Sequence, residues 1–199
     1  MPASPLGPAI VLTGPPCAGK STASAALMPP NPDEGVPLAL LDLDAVRWQV
    51  KGGFLNPMAE IPPSADALEQ WQLAVDICGD SARRYAAVGY GLVIDAPGIY
   101  PDGIVPWEAY THRAWARALE GVDWRLVVLL PDVELVCARA VARAGFRQPP
   151  EGLLRMIHAG IAAWRSVDGV PVLDTTTLTV GETVAAIRRA AGWPAVGTT

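Results

Sequence analysis

The chain has 199 residues, 51% of them hydrophobic and 18% charged, with a mean hydropathy of +0.26; these values predict one compact α/β domain and argue against a disordered chain. The net charge of −5 disfavours a long nucleic-acid partner, which needs a basic surface, but leaves a small anionic substrate open. No apolar run approaches the roughly 18 residues of a membrane span, and no basic segment precedes an apolar stretch near the start. Cys17, Cys78 and Cys137 are too scattered for a disulfide framework or a zinc site, so a cytoplasmic protein is the expectation.

In chain order, 8–13 (PAIVLT) predicts a buried first strand and 19–27 the helix after it. The run Met28-Pro29-Pro30-Asn31-Pro32 stops that helix, because proline lacks an N–H and clashes inside one. A second strand at 38–41 runs into Asp42-Leu43-Asp44, and 45–51 predicts a short helix. The glycine- and proline-rich stretch 52–63 (GGFLNPMAEIPP) reads as a loop, and Ser64 as the N-cap of a long helix to about Ala87. A third strand at 91–94 is closed by Asp95-Ala96-Pro97-Gly98. Then come a helix at 107–119, a fourth strand at 124–130 (WRLVVLL), a helix at 133–144, a loop at 145–152 and a helix at 153–164. A fifth strand at 171–173 and a helix at 180–191 complete the chain. Short apolar runs alternating with helical patterns imply a parallel sheet covered on both faces. Ligands of such sheets gather at the carboxyl ends of the strands. The whole of 1–199 reads as one domain, with a lid at about 139–152 and an acceptor-side loop at about 52–63.

The most specific motif is Gly14-Pro15-Pro16-Cys17-Ala18-Gly19-Lys20-Ser21, a P-loop between strand and helix with Thr22 just beyond it. Its backbone amides suit the α- and β-phosphates of a nucleotide, Lys20 the β- and γ-oxygens, and the Ser21 hydroxyl a Mg²⁺ ion. The chain holds 13 arginines and two lysines, Lys20 and Lys51. A lysine kept at position 20 suggests a need for a compact ammonium that guanidinium cannot imitate.

Asp42, Asp44 and Arg47 follow the second strand. A carboxylate there can take a proton from an acceptor hydroxyl; the alternative is that Asp44 caps a helix and Arg47 is a surface residue. Asp95 ends GLVID, a pattern for a carboxylate near the metal or for a capping turn residue. Arg139, Arg143 and Arg147 are spaced by four, which suits either arginines closing over a triphosphate or a solvated helix face. Trp48, Phe54 and Trp71 could line an acceptor pocket or pack as core and rim, while His112 and His158 read as ordinary helix residues.

The set GPPCAGKS, LLDLDAVR after strand two, VID at strand three, RAVAR after strand four and VLDTT at strand five resembles the small P-loop kinases. The run Asp42-Leu43-Asp44-Ala45-Val46-Arg47 is similar to adenylyl-sulfate kinases, and its Asp44-to-Arg47 spacing to the kinase domain of polynucleotide kinase. The ending VLDTTTLTVGETVAAI is similar to chloramphenicol phosphotransferase and its relatives. The resemblance implies a three-layer P-loop fold with a five-stranded parallel sheet of order 2-3-1-4-5. It also implies Asp44 as general base, Arg47 as an acceptor-orienting arginine, Arg139 and Arg143 as lid arginines, and Thr175 and Thr176 beside the adenine. The 52–63 stretch matches nothing in that pattern, which leaves the acceptor and the oligomeric state open.

Together these features predict an ATP-dependent phosphotransferase, using ATP and Mg²⁺, that moves the γ-phosphate to a hydroxyl of a small-molecule acceptor. The other reading is an ATP-binding module that senses or sequesters its ligand without catalysis. A GTPase is disfavoured because no Asn-Lys-x-Asp guanine-reading motif occurs, and an oxidoreductase because no GxGxxG follows a strand. A nuclease or polynucleotide kinase would need a basic groove that this acidic chain does not suggest.

Overall fold

The computed structural model describes residues 6–29, 36–56, 61–143 and 149–194. Five parallel strands, β1 (Ala9–Thr13), β2 (Leu38–Asp42), β3 (Gly91–Asp95), β4 (Trp124–Leu129) and β5 (Val172–Leu173), form one sheet in the order β2-β3-β1-β4-β5. Around it lie α1 (Lys20–Leu27), α2 (Leu43–Arg47), α3 (Ala65–Ala87), α4 (His112–Ala118), α5 (Val133–Ala142), α6 (Glu151–Ala162) and α7 (Val180–Ala191). The sheet order is the one the resemblance implied.

β1 is buried along its whole length, as a central strand covered on both faces must be. Its side chains alternate between two cores. Ile10 and Leu12 join Leu27, Val184, Ile187 and Trp193 on one side, and Ala9 and Val11 join Trp71, Val75, Trp115 and Trp164 on the other. Ser64 caps α3 by accepting the Ala67 N–H at 3.3 Å, as the sequence predicts. Among the described residues no helix is long and apolar enough to cross a membrane.

Four helices depart from the expected spans. The 107–119 pattern splits into a 3-10 turn, Glu108–Tyr110, and α4. Tyr100 causes the break: its N–H donates to Tyr110 O at 2.8 Å and its carbonyl accepts the His112 N–H at 2.9 Å, which holds Thr111 extended. α6 starts at Glu151, because Pro150 has the torsions of an N-cap and its carbonyl accepts from both Leu153 and Leu154. α5 stops at Ala142, and Arg147, together with the centres of the 139–152 and 52–63 segments, lies outside the described residues. α2 begins at Leu43 and ends at Arg47, ahead of the expected 45–51.

Candidate active site

The P-loop connects β1 to α1 at the carboxyl edge of the sheet. Gly14 has φ 155°, and a Cβ there would stand 2.3 Å from Leu129 O, so only glycine fits between β1 and β4. Gly19 is left-handed at φ 94°, and Cys17 adopts the same half of torsion space at φ 61°. No side chain caps α1. The N–H groups of its first turn, which includes Ser21 and Thr22, therefore remain available to an anion together with the positive end of the helix. Pro15, Pro16 and Ala18 complete the turn, with Ala18 buried and its N–H on Pro15 O at 3.3 Å.

Lys20 is 7% exposed, and its Nζ donates to Gly14 O at 3.1 Å and Pro15 O at 3.0 Å. Burial lowers the pKa of this ammonium, while the carboxylates of Asp95 and Asp44 pull it back up. Asp95, at the end of β3, lies beside Asp42 in the parallel register. Burial raises its pKa. Lys20 and a hydrogen bond from the Ser21 hydroxyl oppose that rise, and Asp42 and Asp44 add to it. A buried carboxylate bonded to a serine hydroxyl fits a hard cation whose other ligands are phosphate oxygens and water. Among the described residues no cluster of three His, Cys, Asp or Glu side chains forms a separate metal site.

The two aspartates after β2 have different partners. Asp42 Oδ1 accepts the N–H groups of Asp44 at 2.8 Å and Ala45 at 3.2 Å, so Asp42 is the N-cap of α2. The sequence had left that task with Asp44. Asp44 instead accepts a 2.7 Å bond from Arg47 NH1, one helical turn on. The Arg47 side chain is 11% exposed, and its guanidinium carbon lies 4.3 Å from the Trp71 ring centroid and 5.6 Å from that of Phe54. Trp71 is buried and in turn packs against Tyr110, the ring centroids 4.5 Å apart and the planes tilted by 46°. Trp71 thus belongs to the core and carries the site arginine at once.

From the other side of the P-loop, Arg139 on α5 brings NH1 within 3.5 Å of Cys17 O and 4.0 Å of where a Gly19 Cβ would stand. Arg143 is the C-cap residue just after α5, close enough for its charge to depress the Lys20 pKa. Thr175 is buried, and its Oγ1 has no hydrogen-bond partner among the described residues. Thr176 Oγ1 accepts the Asp132 N–H at 2.8 Å and donates to Asp174, pinning the loop after β5 to the loop after β4. The Thr176 hydroxyl is therefore already engaged within the protein. Thr13 went unnoticed in the sequence. Its buried Oγ1 accepts the Ile99 N–H at 2.9 Å, and Trp164 Nε1 donates to Ile99 O at 2.8 Å, fixing the loop after β3.

The AAA domain family matches residues 10–164, from β1 through the P-loop and α5 into the turn that follows α6. The chain belongs to this AAA domain family. Among curated proteins none matches the sequence. Solved structures similar to this AAA domain chain share its fold at low identity. A sugar kinase from Janibacter sp. is 18% identical with a TM-score of 0.60, over 96% of this chain and 94% of that one. A gluconokinase from Sinorhizobium meliloti is 17% identical with a TM-score of 0.59, over 93% and 91%. A tunicamycin resistance protein from Deinococcus radiodurans is 16% identical with a TM-score of 0.63, over 94% and 96%. The resemblance to small P-loop kinases read from the sequence therefore holds for the fold as a whole.

Proposed function

We propose that the protein is an ATP-dependent phosphotransferase that moves the γ-phosphate to a hydroxyl of a small-molecule acceptor. The observation that carries this reading is Asp44, a carboxylate held by Arg47 within electrostatic reach of Lys20 and Asp95. A module that only binds nucleotide has no need of a carboxylate so oriented at the mouth of its phosphate loop. Two structural neighbours, a sugar kinase and a gluconokinase, favour the same reaction class.

In the reaction the acceptor oxygen bonds to the γ-phosphorus as the bond to the β,γ-bridging oxygen breaks, and ADP leaves. The acceptor proton passes to Asp44, whose carboxylate Arg47 holds in place through its 2.7 Å bond. Lys20 and the arginines Arg139 and Arg143 offset charge on the transferring group from opposite sides. Ser21 and Asp95 are the residues that would hold Mg²⁺, which would supply positive charge to offset that of the phosphates. Thr175 and Thr176 would border the base of the nucleotide.

The test is ADP formation from Mg-ATP across pools of hydroxyl-bearing compounds, with inorganic phosphate followed in parallel. The expected result is acceptor-stimulated ADP release with a phosphorylated alcohol as second product. Tight ATP binding without stimulation by any pool would instead favour a sensing or sequestering module.

A further inference from the structure

Thr13 is the last residue of β1 and stands directly before Gly14 of the phosphate loop. Its buried hydroxyl accepts the Ile99 N–H at 2.9 Å. Ile99 is buried too, and its carbonyl accepts the Trp164 indole N–H at 2.8 Å. Both backbone polar groups of Ile99 are thus tied by side chains, in a loop where no helix or sheet ladder supplies them with partners. A backbone bond from the Ala96 N–H to Leu12 O, at 2.9 Å, adds a second tie to β1. Gly98, at φ 68°, turns the chain between the two. The segment leaving β3 is therefore fastened to the root of the phosphate loop.

The residues that follow carry this position to the transfer site. The Tyr100 N–H donates to Tyr110 O at 2.8 Å, and the Tyr110 ring lies 4.5 Å from that of Trp71. Trp71 seats Arg47 at 4.3 Å, and Arg47 holds Asp44 at 2.7 Å. The Arg47 charge also reaches the Tyr110 hydroxyl, opposing the rise in pKa that burial imposes on it. We infer, resting on the phosphotransferase reading above, that Thr13 is a positioning residue whose hydroxyl sets the distance between the phosphate loop and the support of Arg47. Asp44 and the acceptor oxygen beside it then meet the γ-phosphorus at a fixed approach. In-line transfer tolerates little misplacement of the attacking oxygen, so a loosened support slows transfer without weakening the hold on ATP. A valine matches the shape of threonine but leaves the buried Ile99 N–H without an acceptor. The segment relieves that cost by shifting, and Tyr110 shifts with it.

The experiment compares the parent with Thr13→Val, Thr13→Ser and Trp164→Phe. It reads affinity for a non-hydrolysable ATP analogue with Mg²⁺, amide exchange by NMR, and ADP release from Mg-ATP with pools of hydroxyl-bearing compounds. Thr13→Val is expected to lower acceptor-stimulated ADP release at least about fivefold, with analogue affinity within about twofold of the parent. Exchange at Ile99 and Tyr100 is expected to quicken at least about tenfold while the amides of β4 keep their protection. Thr13→Ser is expected to return both quantities to within about twofold of the parent, because the oxygen rather than the methyl does the holding. Trp164→Phe cuts the other tie on Ile99 and is expected to change both in the same direction as Thr13→Val. It carries the test if Thr13→Val fails to fold. Parent-like ADP release in Thr13→Val, or a loss matched by an equal loss of analogue affinity, overturns the inference and leaves the phosphotransferase reading standing. A loss in Thr13→Ser as large as in Thr13→Val does the same. A parent that binds the analogue but releases no ADP with any pool overturns the phosphotransferase reading, and the positioning role falls with it.

Discussion

Arg47 is seated on Trp71, with its guanidinium carbon 4.3 Å from the ring centroid, while NH1 of the same group bonds Asp44 at 2.7 Å. The ring lies 24 residues away on another helix, yet it determines where the arginine can point its donors. A cation over an indole face is worth about 0.5–2 kcal/mol, enough to hold one rotamer against the alternatives of a long side chain.

Trp71→Leu is therefore expected to lower kcat about 3- to 30-fold, the rate equivalent of that interaction, with KM for ATP unchanged. Trp71→Phe keeps an aromatic face and is expected to stay within about twofold of the parent. Steady-state kinetics with ATP and acceptor varied separately check the split. A loss shared by both variants and confined to KM for ATP would remove Trp71 as the support of Arg47.

Lys20 packs its ammonium between two carbonyls in a site only 7% exposed. A guanidinium is wider and planar and cannot occupy the same space. Both Lys20→Ala and Lys20→Arg are expected to weaken ATP binding by at least about tenfold, as loss of a charged hydrogen bond predicts. Isothermal titration with a non-hydrolysable ATP analogue measures this. Retained affinity in Lys20→Arg would show that charge alone suffices.

His112 lies between Trp124 at 5.2 Å and Trp164 at 5.6 Å, and burial lowers its pKa despite the nearby Asp102. Its position in the first turn of α4 also disfavours the protonated ring. The unfolded chain then binds a proton more readily than the folded one. The stability this group contributes is present above the ordinary histidine pKa of 6.5 and is lost as pH falls below it. Replacing His112 by Phe is expected to flatten the fall in unfolding midpoint between pH 7.5 and 5.5. Parallel curves for the two proteins would contradict the assignment.

Thr176 joins two loops through one hydroxyl. Thr176→Val removes that link and is expected to cost about 1 kcal/mol, or about 2–4 °C in unfolding midpoint for a chain of this size. Differential scanning fluorimetry reads the change, and the thermal shift on adding ATP shows whether the loop also supports the nucleotide.

The fold was legible where composition dictates backbone. Gly14 and Gly19 announce torsions that other residues resist, and the buried runs at β1, β3 and β4 read as parallel strands because both of their faces are apolar. The cap of α2 was not legible, since Asp42 and Asp44 carry the same acceptor two residues apart and only the observed torsions separate them. Nor was the split of the 107–119 pattern, which depends on a backbone pairing with Tyr100 rather than on local propensity. In the site, Lys20, Ser21 and Asp95 follow from motif and strand order. The Arg47–Trp71 contact and the Thr13–Ile99 bond join segments far apart in the chain, so no periodicity signals them.

The central claim is that Asp44 takes the acceptor proton. Asp44→Asn preserves size and the bond with Arg47 but removes the base. The most direct measurement is single-turnover transfer from γ-labelled ATP to the best acceptor alcohol, with ATP affinity measured in the same samples. The account predicts unchanged affinity and transfer slowed about 10²- to 10⁴-fold. Transfer by Asp44→Asn at the parent rate would contradict it.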